Sequence, residues 1–178
     1  MMSWKCPDCP ETVRVRDRGL VLEIPFEACR LYHGEDSIGG LALGYRLVAF
    51  ALAKLSPDEI PERKDIAFRT AFPGPGVLDA VEMTTRAASR SAVRTLTEAP
   101  PEAPEATYGH LYFEFTVKGK TLRVAAAPDA MSEEFLKTGR AVVAGGRDPA
   151  LLAHWTEVKR GLARAVMAAD AQKLFIVL

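Results

Sequence analysis

The sequence predicts an α+β protein in which an antiparallel, hairpin-based sheet packs on one buried central helix. Three observations lead there. First, Leu111, Phe113, Phe115 and Val117 alternate with Tyr112, Glu114 and Thr116; the chain turns at Lys118-Gly119, and Leu122, Val124 and Ala126 alternate on the return. That is a β-hairpin with one buried face. Second, residues 41–55 form an apolar run whose strongly polar members are Tyr45, Arg46 and Lys54. A helix apolar on nearly every side must be surrounded by protein. Third, helical and strand-like segments follow one another without a strict strand–helix–strand rhythm, which points away from a parallel α/β sheet.

The remaining elements follow in order. Residues 12–16 alternate, Asp17-Arg18-Gly19 turns the chain, and residues 20–24 return it as a short hairpin. Pro25 opens a helix through Tyr32, because a missing N–H costs nothing in a first turn, and Gly34 ends it. The central helix starts at 37–39 and reaches about Lys54; Gly40 and Gly44 share one of its faces and admit another backbone closely. Residues 56–64 form a polar connection, 65–72 a strand, Pro73-Gly74-Pro75-Gly76 a break, 77–88 a helix and 91–96 a strand. The acidic, proline-rich stretch 98–106 reads as a semi-extended insertion inside one domain. After the strong hairpin, a helix over 129–138 is stopped by Gly139. Another has Asp148 as N-cap, Pro149 at its first position, and an apolar stripe of Leu151, Leu152, Trp155, Val158, Leu162 and Val166. The apolar tail 174–178 closes the fold as a strand or packed end. No internal repeat is present. The chain divides into an N-terminal segment, 1–24, with a CxxC pair and the short hairpin, and a domain over 25–178.

With 178 residues there is enough chain for one sizeable core. Lysine plus arginine equal aspartate plus glutamate, 23 against 23, so no bulk charge draws the protein to nucleic acid or anionic membrane. The first residues lack the apolar core of a signal peptide, and no uninterrupted apolar run reaches the ~20 residues of a membrane span. A cytoplasmic protein is expected. Three cysteines argue against a disulfide scaffold.

The polar groups most suggestive of chemistry gather at the mouth of the central helix, in His33-Gly34-Glu35-Asp36-Ser37-Ile38-Gly39-Gly40. A helix N-terminus carries unpaired N–H groups and partial positive charge, and Gly39 and Gly40 bare them to an anion or polar ligand. The alternative is that Asp36 or Ser37 caps the helix and nothing binds. A metal-like pattern lies beside it. Cys6-Pro7-Asp8-Cys9 has a spacing that lets two thiolates grip one zinc ion, and Cys29 and His33 are four apart on one helix face. Together they make a Cys₃His tetrahedron; the alternative is a core Cys29 and a reduced terminal pair. His110 opens the hairpin strand, His154 adjoins Trp155, and Asp79, Glu82 and Arg86 share a helix as a charged face. No serine or cysteine stands beside a convincing base, so no nucleophilic triad is indicated.

The stretch 26–50 resembles the start of the FmdE-like domain, a family named after a component of formylmethanofuran dehydrogenase. His33-Gly34 matches the opening of its His-Gly-His-x-Cys-Pro-Gly segment, and Gly40-Leu41-Ala42-Leu43-Gly44-Tyr45-Arg46 matches the glycine- and leucine-rich helix with Gly-x-Arg. Between them stands Glu35-Asp36-Ser37-Ile38-Gly39, without the second histidine and the cysteine. Leu78-Asp79-Ala80-Val81-Glu82-Met83 resembles the family's Asp-Ala helix, with Arg86-Ala87-Ala88 where its cysteine segment would stand. Tyr108-Gly109-His110, Thr121-Leu122-Arg123-Val124 and Lys173-Leu174-Phe175 resemble later segments. The resemblance implies an FmdE-like α+β domain over 25–178 with a metal-containing pocket, in the setting of one-carbon or molybdenum/tungsten enzyme metabolism. Thiolate positions are lost here and oxygen groups gained, a shift toward harder ligands.

The expected site is therefore a small polar pocket of His33, Glu35, Asp36, Ser37, Gly39, Gly40, Asp79 and His110, holding zinc, another divalent metal or a small polar ligand. The alternative is a non-catalytic, dimeric binding or accessory protein whose metal site has decayed. A third possibility is an enzyme pairing His33 with Glu35 or Asp36 as acid and base, for which no substrate follows. A homodimer is expected from the resemblance and from the apolar residues 174–178.

Overall fold

The computed structural model describes residues 12–145 and 147–178. Strands β1 (Thr12–Asp17) and β2 (Leu20–Pro25) pair antiparallel from Thr12↔Pro25 to Asp17↔Leu20. Arg18 and Gly19 turn them with φ of 53° and 84°, positive at both central positions, the turn whose twist matches the strands. Two helices follow, α1 (Phe26–His33) and α2 (Ile38–Leu55), then a 3₁₀ turn at Arg63–Asp65, β3 (Ile66–Thr70), α3 (Pro75–Thr85) and β4 (Val93–Thr95). The short pair β5 (Glu105–Ala106) and β6 (Gly109–His110) precedes the predicted hairpin, β7 (Tyr112–Val117) and β8 (Lys120–Ala126). The chain finishes with α4 (Glu133–Val143), α5 (Pro149–Ala168), α6 (Ala171–Leu174) and β9 (Phe175–Val177).

The class is α+β. The main sheet has the order β4-β3-β7-β8-β9; all its neighbours are antiparallel except β4, which lies parallel to β3 at one edge. Its inner face is aromatic. Phe68 pairs with Phe115 across β3 and β7, ring centroids 4.7 Å apart, and stacks on Phe113 at 6.3 Å. The outer face is less open than simple alternation implies. Tyr112 and Glu114 are also buried, because the 96–106 insertion folds back and sets Ala103 with Ala71, Tyr112 and Ala125 in a second, small cluster. Tyr112 donates to Glu114 (2.7 Å), whose other oxygen accepts from Arg69 (2.9 Å). Burial first, then the Glu114 carboxylate, pushes the Tyr112 phenol up to about 12.

Helix α2 is the core of the molecule. It has the length and apolarity of a membrane span, 18 residues at mean hydropathy 1.5, yet 67% of it is buried inside this fold. Its glycine face meets α3: a Cβ on Gly44 would stand 2.8 Å from Val77 Cα, and one on Gly76 would stand 2.4 Å from Leu41 N. Another face meets α5, where a Cβ on Gly39 would lie 2.9 Å from Leu162. The β1–β2 hairpin is tied on by Tyr45, whose hydroxyl accepts from Val13 N–H (3.2 Å) and donates to Ile24 O (2.9 Å).

Two expectations change at the C-terminal half. Gly139 does not stop a helix over 129–138. It sits inside α4, where a Cβ would come 3.1 Å from the Trp155 ring, so its missing side chain admits α5; Gly145, at φ 99°, follows the true end. Asp148 and Pro149 open α5 as predicted, Asp148 accepting from Leu151 N–H at 2.9 Å. Of the predicted stripe, Val158, Leu162 and Val166 are buried, whereas Leu152 is exposed. Residues 174–178 divide: Leu174 and Phe175 are buried, while Ile176, Val177 and Leu178 are exposed along the edge strand.

Leu47→Ala or Phe113→Ala, both at 0% exposure, should each destabilise the fold by roughly 2–5 kcal/mol. Gly44→Ala should cost about 1–3 kcal/mol despite its better helix propensity, because it forces α2 and α3 apart. Urea titrations of the three variants check this, and a neutral Gly44→Ala would refute the backbone-on-backbone packing.

Candidate functional site

The mouth of α2 holds two arrangements rather than one. The first is a closed polar bracket. His33 ends α1 with its side chain 6% exposed; its Nδ1 lies 2.6 Å from Asp79 Oδ2 on α3, and its Nε2 accepts from Ser37 N–H at 3.2 Å. An accepting Nε2 requires the proton on Nδ1, so the imidazole is the neutral tautomer donating to Asp79. His33 thus caps the entry to α2 in place of a Ser37 side-chain cap, which is absent. Both ring nitrogens are engaged. His33 pairs with Asp79, and neither Glu35 nor Asp36 is its partner.

The second arrangement is a cleft of about 120 Å³ beside the helix ends. Its floor is the adjoining N-termini of α2 and α3, with Ser37, Gly39 and Gly40 from one and Gly74, Pro75 and Gly76 from the other. Its walls are Phe72, Tyr108, Met131, Phe135 and Trp155. Local sequence explains the shape. Pro75 starts α3 with its φ already set, and Gly74 leaves room for the Phe72 ring, which a Cβ 2.4 Å away would push aside. Trp155 packs on Phe135 with centroids 4.8 Å apart.

Among the described residues, the cation that lines the cleft is Lys159. Its side chain is 11% exposed, its Nζ lies 5.5 Å from the Trp155 ring centroid, and it donates to Asp36 Oδ1 at 2.8 Å. The ammonium beside Asp36, by hydrogen bond and by charge, holds that carboxyl below the ordinary aspartate value, with burial opposing. Asp36 itself is 91% exposed at the rim. The pair is therefore half wet: a buried cation with a solvated, displaceable counterion.

Four of the predicted pocket residues line this cleft: Asp36, Ser37, Gly39 and Gly40. His33 and Asp79 form the bracket behind it. Glu35 faces outward between Arg30 and Arg160, and His110 is exposed on β6. The site is more apolar than the sequence implied, since its walls come from four distant segments whose aromatics read as ordinary core. Lys159 carried no signal of its own beyond its place one turn after Trp155.

Of the predicted zinc ligands, Cys6 and Cys9 lie outside the described residues. Cys29 is fully buried in the core, and burial pushes its thiol up to about 12, far from the thiolate a metal needs. His33 is held by Asp79 and Ser37. As arranged here, these two residues fit a metal centre poorly. Among the described residues no three histidine, cysteine, aspartate or glutamate side chains converge as a metal site. A scan against protein-family models finds no match to the chain. A search of the curated proteins finds none either.

In a Cys6→Ser/Cys9→Ser background, Cys29 should resist thiol reagents at about pH 8 in the native state and label stoichiometrically in denaturant. Rapid native labelling would overturn its place in the core. The Asp36–Lys159 pair sets a pH dependence. The folded carboxyl titrates lower than the unfolded one, so its stabilisation is complete above the unfolded value, near pH 4, and is lost as pH falls through the folded value. Asp36→Asn should therefore cost about 0.2–1 kcal/mol at neutral pH, screened as an exposed pair is, and nothing near pH 2. Urea unfolding at both pH values measures the difference.

Proposed function

We propose that the protein binds a small apolar or aromatic molecule bearing one carboxylate, with the apolar part between Phe72, Phe135 and Trp155 and the carboxylate at Lys159. The observation that carries this reading is the buried Lys159 ammonium set under aromatic walls, opposed by a solvent-exposed Asp36. A ligand carboxylate replaces Asp36 at the ammonium, and Asp36 returns to water at small cost. The N-terminal ends of α2 and α3 add partial positive charge from beneath. A cavity of about 120 Å³ takes a single ring or a short branched chain. The resemblance of residues 33–46 to the FmdE-like opening agrees with a site at this helix end.

The test is titration calorimetry with benzoate and its neutral analogue benzamide. Benzoate should bind, and Lys159→Met should weaken it about tenfold or more while leaving benzamide within about twofold. Asp36→Asn should tighten benzoate severalfold, because it removes the competing carboxylate. Loss of affinity in Asp36→Asn, or no saturable heat with any small aromatic acid at millimolar concentration, would refute the assignment.

A further inference from the structure

We propose that a second site, the groove between the β1–β2 turn and the loop that follows α3, binds a phosphate-class oxyanion with two or more negative charges, the charged end of a phosphorylated small molecule. It is independent of the aromatic cleft. The groove has a volume of about 800 Å³ and is lined by five cations, Arg18, Arg63, Lys64, Arg86 and Arg90, against two carboxylates, Asp17 and Glu62. A chain of zero formal net charge thus concentrates an excess of three positive charges in one place. Counting Glu82, which lies 3.6 Å from Arg86, leaves an excess of two.

The carboxylates present are already occupied. Glu62 accepts from Gly19 N–H at 2.9 Å, Asp17 lies 3.5 Å from Arg63, and Glu82 accepts from the N–H groups of Ala88 (2.8 Å) and Ser89 (3.1 Å). Two of the cations form a rigid base. Arg63 donates to Thr84 O (2.9 Å) and Met83 O (3.1 Å) at the C-terminal end of α3, and Arg90 donates to Ile66 O (2.7 Å). Burial lowers the Arg63 pKa, with Asp17 opposing and the neighbouring Arg86 cation adding to it. The rim is different. Arg18, Lys64 and Arg86 are exposed, and among the described residues Arg18 and Lys64 have no side-chain hydrogen bond or ion pair.

This arrangement selects a ligand class. A single carboxylate cannot satisfy an excess of two to three charges, whereas a phosphate or pyrophosphate group can. Guanidinium forks also match the spacing of phosphate oxygens. The positive groups line a groove of about 800 Å³, a volume suited to a small molecule. The ligand is therefore small.

The experiment is titration calorimetry of the full chain with inorganic pyrophosphate at low ionic strength. Pyrophosphate should bind saturably and weaken severalfold when salt is raised to physiological strength, as screened contacts do. Arg18→Gln/Lys64→Gln, two exposed side chains outside the core, should weaken it about tenfold or more. Arg14→Gln/Lys120→Gln removes the same charge elsewhere and should change it less than about twofold. Thermal melts confirm that both double variants fold; Arg86→Gln, expected to weaken binding about threefold or more, provides a third variant. Absence of saturable pyrophosphate binding, or equal losses in the two double variants, would overturn the site. So would a duplex oligonucleotide that binds more tightly than pyrophosphate and is lost in the same variant, which would make the groove a nucleic-acid surface.

Discussion

The close approach of α2 and α3 is the constraint from which the rest of the structure follows. A helix buried over most of its surface needs partners on several faces, and here Gly44 and Gly76 let two backbones touch without side chains between them. The contacts Gly40–Gly76 and Gly44–Ala80 advance together along both helices, so α2 and α3 run in the same sense. So does α5, whose Leu162 meets Gly39 and whose Met167 meets Arg46 further along. Helices α2 and α3 stack their N-terminal partial positive charges at one end, while α5 is offset, with Lys159 and Leu162 rather than its first turn beside Gly39. The charged side chains answer that field. Asp36 stands at the N-terminal end, Arg63 at the carbonyl end of α3, and Arg46 at that of α5, where it donates to Ala169 O at 2.5 Å.

His33 serves the architecture of this end of the molecule through both of its ring nitrogens. A histidine beside an aspartate is half of an acid–base device. Here the other nitrogen accepts from the amide of Ser37, the N-cap residue of α2. Protonating it would set two donors face to face and would cost the link between α1, α2 and α3. The side chain thus joins three elements and leaves the neighbouring cleft to Lys159.

Much of this was legible in the sequence. Alternation in residues 111–126 predicted the hairpin and its inner face, because a two-residue period has no other stable use when one face is apolar. The spacing of Gly40 and Gly44 predicted the close approach of another backbone, and Asp148-Pro149 predicted the start of α5. Gly139 misled because a glycine that ends a helix and a glycine that admits an indole ring are the same letter; only the position of Trp155 distinguishes them. The outer face of β7 misled for a related reason. Its cover comes from an insertion whose composition reads as solvent-exposed loop. The site was half legible. Residues next to each other in the chain, Asp36 to Gly40, announced a helix end. The aromatic walls come from residues 72, 108, 135 and 155, whose convergence depends on the tertiary fold.

Helix α3 connects the two candidate sites, since its first turn floors the aromatic cleft and the residue after its last turn lines the cationic groove. At about 1.5 Å per residue its 11 residues separate them by roughly 16 Å. The contrast between the sites follows from the two kinds of helix end. An N-terminus offers N–H donors and tolerates glycine and proline, so it can lie bare beneath a ligand. A C-terminus offers carbonyls, which draw guanidinium groups, and Arg63 meets that need. Capping therefore explains Arg63, and the backbone carbonyl of Ile66 explains Arg90. It does not explain the side chains of Arg18, Lys64 and Arg86, which are exposed at the rim; Arg86 caps α3 with its backbone N–H, not with its guanidinium. Their concentration in a chain of balanced charge is the surplus that the fold leaves unaccounted for, and an anionic ligand accounts for it.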